Sequence, residues 1–123
     1  MCRVLIVEDN LEILTVLKLI LGTSGFEVDT ITNLDEVMRN IALKRPDIIL
    51  MDINVDGQDG KQKCLHIKNI YPNLPVILTS GDVLAKRDFQ SFGADAFIDK
   101  PFGMDDIINT INQVWERTKL AVK

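Results

Sequence analysis

Carboxylates dominate the chemistry available to this chain. Glu8 and Asp9 follow the apolar run of residues 2–7, and Asp52 follows the apolar run of residues 48–51. Ser80 closes a third run, residues 76–79, and Lys100 comes two places after Ala96-Phe97-Ile98. Helix capping by Asp9 or Asn10 accounts for at most one of the three acids. Brought together, three carboxylates repel and lose hydration, so protons or a cation must relieve them. A hard divalent ion with oxygen ligands, Mg²⁺ with Mn²⁺ as a substitute, meets that need. A hydroxyl at Ser80 and an ammonium at Lys100 then suit a phosphoryl group. Metal and lysine neutralise its oxygens, and the hydroxyl donates to one of them. Asp52, central among these groups, is the candidate nucleophile and would carry the group as an acyl phosphate.

The elements that would position these residues alternate in type. Predominantly apolar runs at residues 2–7, 47–51 and 76–79 read as strands covered on both faces. Residues 26–31, polar at every second place near their start, read as an edge strand, and residues 96–98 as a short last strand. Between them lie helical stripes: Ile13, Val16, Leu17, Ile20 and Leu21; then Leu34, Val37, Met38, Ile41 and Ala42; then Cys64, Ile67 and Tyr71. Residues 82–92 form a weak stripe through Ala85, Phe89 and Phe92. Met104, Ile107, Ile108, Ile111 and Trp115 mark the final helix. Residues 55–60 read as a turn-rich loop. This alternation predicts an α/β fold, a three-layer αβα sandwich around a doubly wound five-stranded parallel sheet. The flavodoxin-like order 2-1-3-4-5 sets strands one and three side by side and gathers Glu8, Asp9 and Asp52 where such sheets bind ligands, beyond the strands' carboxyl ends.

With 123 residues, the length fits one domain over residues 1–123, with 117–123 as a linker or frayed helix end. A formal charge of −4 argues against direct nucleic-acid binding. No apolar run is long enough for membrane insertion, and no signal peptide is evident, so a cytoplasmic location is expected. Cys2 and Cys64 form neither a metal pair nor a disulfide framework. His66, the single histidine, reads as an exposed or half-exposed helix residue with no nucleophile nearby. Neither a P-loop nor a G-x-G-x-x-G pattern occurs.

Taken in order, Val7-Glu8-Asp9-Asn10, Ile49-Leu50-Met51-Asp52, Asp59-Gly60, Pro75-Val76-Ile77-Leu78-Thr79-Ser80-Gly81, Gly93-Ala94 and Lys100-Pro101-Phe102 resemble the motifs of the response-regulator receiver domain. The resemblance covers essentially the whole chain. It implies five strands and five helices, two-component signalling, and a switch rather than an enzyme that turns over substrate. Asp52 would be phosphorylated from a phosphohistidine of a sensor histidine kinase or histidine phosphotransfer protein. The output would go to a downstream protein or a missing effector domain. By the same resemblance Glu8, Asp9, Asp52 and the backbone carbonyl of Asn54 bind the metal. Lys100 contacts the phosphoryl group ahead of a cis bond to Pro101. Ser80 is the switch hydroxyl, and Phe97 is the aromatic that turns inward with it. The face of the fourth helix, fifth strand and fifth helix carries the signal. Asn54 and Asp82 tune dephosphorylation through a water held between them.

Two departures stand out. Asp56-Gly57 replaces the usual proline after the acceptor, which predicts a more flexible and more negative loop. The interval from Ser80 to Lys100 is short, which predicts a trimmed fourth helix or loop. Two rivals are weaker. A haloacid-dehalogenase-like phosphatase would also use an aspartyl phosphate, but Asn54 replaces its second acid. A flavodoxin-like cofactor binder would need a phosphate cradle where Glu8-Asp9-Asn10-Leu11-Glu12 stands.

Overall fold

A computed structural model describes residues 2–82 and 87–121. Five strands make one parallel sheet: β1 (Arg3–Val7), β2 (Glu27–Ile31), β3 (Ile48–Asp52), β6 (Val76–Ser80) and β7 (Ala96–Asp99). Their order is β2-β1-β3-β6-β7, the expected one once two short hairpin strands are set aside. Those are β4 (Asn54–Val55) and β5 (Gln58–Asp59). Side-chain alternation along the central strands splits the core in two. Leu5, Ile49, Met51 and Leu78 face α2 (Val37–Lys44) and α3 (Gly60–Ile70). Val4, Ile6, Leu50 and Ile77 face α1 (Leu11–Thr23) and α4 (Met104–Ala121). The three-layer sandwich follows. Unbroken apolar runs are what such doubly covered strands require, so all three central strands were legible.

Several expectations need correction. On α1 the buried column is Leu14, Leu17 and Leu21, and Val16 is 51% exposed. Val16 sits about 100° round the helix from Leu17, so an apolar neighbour in sequence is not a neighbour in packing. Ala42 beside buried Ile41 is exposed for the same reason, and Met104 at the start of α4 is exposed too. Leu34 belongs to a 3₁₀ turn, Leu34–Glu36, that precedes α2.

The described residues carry four α-helices, not five. In the stretch from 82 to 92 they show a 3₁₀ turn, Phe89–Phe92, ended by Gly93 at φ 81°. Ala85 lies outside the described residues. The C-terminal helix α4 runs on to Ala121, through most of the segment read as linker or frayed end. No helix among the described residues is long and apolar enough to cross a membrane.

The turn-rich loop after β3 contains a short hairpin. Asn54 pairs with Asp59 and Val55 with Gln58, antiparallel, around Asp56 at φ 51° and Gly57 at φ 76°. Positive φ at both central positions is the type I′ hairpin turn, for which Asp-Gly is a favoured pair.

Candidate functional site

β1 and β3 are neighbours in register, Val7 opposite Met51, so Glu8 and Asp52 emerge together one residue further on. Glu8 is 2% exposed. Its Oε1 accepts from Lys100 Nζ at 2.8 Å and its Oε2 from the Asn10 N–H at 3.2 Å. Asp52 Oδ2 accepts from the same Nζ at 2.8 Å, and its Oδ1 accepts from the Asn54 N–H at 3.3 Å. Asp9 is exposed, and its Oδ2 accepts from the Asp56 N–H at 2.8 Å. One oxygen each from Glu8, Asp9 and Asp52 lies within 4.8 Å of the others. The acids read from the sequence therefore do meet, and Lys100 meets two of them.

The other side of the crevice comes from β6 and β7. Ser80 pairs with Asp99, and the Lys100 N–H donates to the Ser80 carbonyl at 2.9 Å. The next peptide bond, Lys100–Pro101, is cis, as the resemblance implied. Ser80 is buried, and its Oγ accepts from the Asp82 N–H at 2.9 Å. Phe97 is half-buried, its ring centroid 5.8 Å from that of Phe89. Asn54 and Asp82 are exposed. His66 is exposed on α3.

A family model described as the response regulator receiver domain matches residues 4–112. The chain belongs to that family. Among curated relatives, response regulator MprA of Mycobacterium ulcerans is 28% identical over 120 residues, covering 96% of this chain and 52% of that protein. The uncharacterized transcriptional regulatory protein YvcP of Bacillus subtilis is 34% identical over 120 residues, covering 96% of this chain and 50% of that protein. The receiver thus spans about half the length of these relatives. A CheY-like receiver domain protein of Methanospirillum hungatei superposes with a TM-score of 0.91 at 25% identity, covering 98% of each chain. NtrX of Brucella abortus gives a TM-score of 0.91 at 30% identity, covering 98% of this chain and 28% of that one. The phosphatase alternative is not favoured: the receiver match takes in the whole acid cluster, and an exposed Asn54 stands where that chemistry needs its second acid.

In this receiver the charges are balanced against burial. Burial pushes the Glu8 carboxyl up, while hydrogen bonds from Lys100 and from the Asn10 N–H pull it back only in part. Burial pulls Lys100 down, but its hydrogen bonds to Asp52 and Glu8 outweigh that, and it is held above the usual lysine value. Lys100 is therefore a fixed ammonium. Two of its three N–H groups are engaged by Glu8 and Asp52, which leaves one to point at a ligand oxygen. The donor set facing the crevice is carboxylate oxygen, which suits Mg²⁺. The thiols lie elsewhere, buried in the two cores, and burial pushes Cys2 up to about 11 and Cys64 to about 12.

Three contributors were not read from the sequence. The Asp56 N–H on Asp9 depends on a hairpin that only the Asp56-Gly57 pair signalled. The Asn10 N–H on Glu8 had no separate signal. Gly60 was noted only as part of a motif, but a Cβ there would run into the Asp52 carbonyl oxygen and lie 2.9 Å from Ile53 Cα. Position 60 must be glycine for α3 to start against the acceptor's own backbone.

Proposed function

We propose that this receiver accepts a phosphoryl group on Asp52 from a phosphohistidine of a sensor histidine kinase or histidine phosphotransfer protein. The observation that carries the reading is Lys100 Nζ at 2.8 Å from both Glu8 and Asp52, within a cluster that Asp9 completes. An oxygen of Asp52 attacks phosphorus and the P–N bond breaks. Its electron pair returns to the imidazole, and a mixed anhydride remains on Asp52. Mg²⁺, held by Glu8, Asp9, Asp52 and the Asn54 carbonyl, would neutralise the oxygens in transfer.

Lys100 receives one phosphoryl oxygen through its remaining N–H. Ser80 donates its hydroxyl proton to another, while its Oγ accepts from the Asp82 N–H. Drawing Ser80 inward frees the space into which Phe97 turns. The face formed by the Phe89–Phe92 turn, β7 and α4 then carries the signal to a downstream protein or an attached effector domain. This is a population shift, limited by how much better the phosphoryl group is held in one state than in the other. Asn54 and Asp82, both at the rim, hold the water that later hydrolyses the anhydride.

The test is Mg²⁺-dependent labelling by a small acyl phosphate or phosphoramidate. One phosphoryl group per chain is expected, with none in Asp52→Asn or in excess chelator, and no turnover of phosphate monoesters. Undiminished labelling of Asp52→Asn would overturn the assignment.

A further inference from the structure

We infer that Asp56 is a positioning residue for the cation site, acting through its main-chain N–H on Asp9; this rests on the reading of the acid cluster given above. Asp9 is an exposed carboxylate on a loop, free to turn unless something holds it. What holds it is the Asp56 N–H, 47 residues along the chain and 2.8 Å from Oδ2. That contact fixes the orientation of a carboxylate that has an oxygen within 4.8 Å of oxygens of Glu8 and Asp52.

The aim of the N–H is set by the hairpin. Val55 is fully buried and pins one hairpin strand to the core. Asp59 pins the other by capping α3, its Oδ1 accepting from the N–H groups of Lys61 at 2.9 Å and Gln62 at 3.4 Å. Between these anchors, φ 51° at Asp56 and 76° at Gly57 turn the amide toward β1. Asp, Asn and Gly adopt that backbone at little strain, whereas proline can neither adopt it nor donate. A ligand already held in its binding orientation loses less freedom when the cation arrives.

Calorimetric titration of the full chain with Mg²⁺ alone tests this. Asp56→Gly keeps the N–H and the backbone conformation but removes the carboxylate, and its Kd should stay within about threefold of the parent. Asp56→Pro removes the N–H, and its Kd should rise about tenfold, the scale of losing a group that orients a metal ligand. Labelling of Asp56→Pro at saturating Mg²⁺ should keep its maximal rate, so that the Mg²⁺ requirement shifts and the chemical step does not. A second measurement avoids the proline altogether. Asp9→Ala should speed hydrogen exchange of the Asp56 amide about tenfold while the amides of the facing pair Val55 and Gln58 hold.

Parent-like Mg²⁺ binding by Asp56→Pro, an equal loss in Asp56→Gly, or unchanged Asp56 exchange in Asp9→Ala would each overturn the inference. If the parent chain itself binds no Mg²⁺, the acid-cluster reading fails and takes this one with it. If the parent binds and Asp56→Pro binds equally, the cluster reading stands and only the role of Asp56 falls.

Discussion

The two walls of the crevice are built differently. On the wall of β3, the hairpin and α3, nearly every residue is tied locally. Asn54 donates to Asp52, Asp56 to Asp9, and Gly60 to the Ile53 carbonyl, while Asp59 caps the helix that follows. On the wall of β6 and β7 the moving parts are a hydroxyl and a ring. Ser80 is met by the Asp82 N–H, and Phe97 leans on Phe89 of a single 3₁₀ turn without being fully buried. The contrast separates two jobs. A nucleophile must be aimed to within a fraction of an ångström, which favours the closely bonded wall. A signal needs an element with two available arrangements, which suits a half-buried ring such as Phe97 leaning on a single 3₁₀ turn.

Substitutions on each side probe this division. The largest effect is expected at Gly60→Ala, where the added methyl meets the backbone of Asp52 and Ile53 rather than a flexible side chain. Urea denaturation should show a loss of about 3 kcal/mol, the upper end for overpacking, and labelling of Asp52 should slow with it.

Phe97→Ala on the other wall should cost about 2 kcal/mol, below the loss for a fully buried Phe because the ring is half-exposed. Its rate of labelling should stay near that of the parent, while amide exchange across residues 89–99 loses its response to phosphorylation. If Phe97→Ala slowed labelling as much as Gly60→Ala, the division of roles would be wrong.

The smallest effect concerns the thiols. Cys64 is fully buried on the inner face of α3, where burial pushes its thiol up from the ordinary 9.0 to about 12, as burial pushes Cys2 to about 11. A raised folded pKa means that the stability tied to these thiols is complete below pH 9 and is lost as pH climbs from 9 through 11 and 12. Denaturation midpoints should therefore be insensitive to Cys64 ionisation at pH 7–8 and fall above pH 9. Replacement by Ser should flatten that fall. Alkylation of Cys64 at pH 8 should track opening of the α3 wall.

What could be read from the sequence follows the same division. The central strands announced themselves because burial on both faces leaves only apolar residues. Strand order then brought Glu8, Asp9 and Asp52 together without any side-chain detail. The contact of Lys100 with two of them was inferred only as joint placement, because a lysine in a loop carries no mark of its partner. The hairpin at residues 54–59, overlapping the turn-rich segment 55–60, is hard to read because four paired residues are too few to show alternation. Its one clue is Asp56-Gly57, a pair that tolerates the positive φ of a type I′ turn. Val16 and Ala42 were misplaced because apolar character alone does not say which side of a helix meets the sheet.

Asn10 links a further pair of tasks. Its side chain accepts from the N–H groups of Glu12 and Ile13 to open α1, while its own N–H donates to Glu8. Strand, acid pair and helix are thus joined by a connector with no slack. A residue inserted between Asp9 and Leu11 would leave either the helix start or the Glu8 carboxylate without its donor or acceptor. Change in this segment is therefore confined to exchanging side chains, never to adding length.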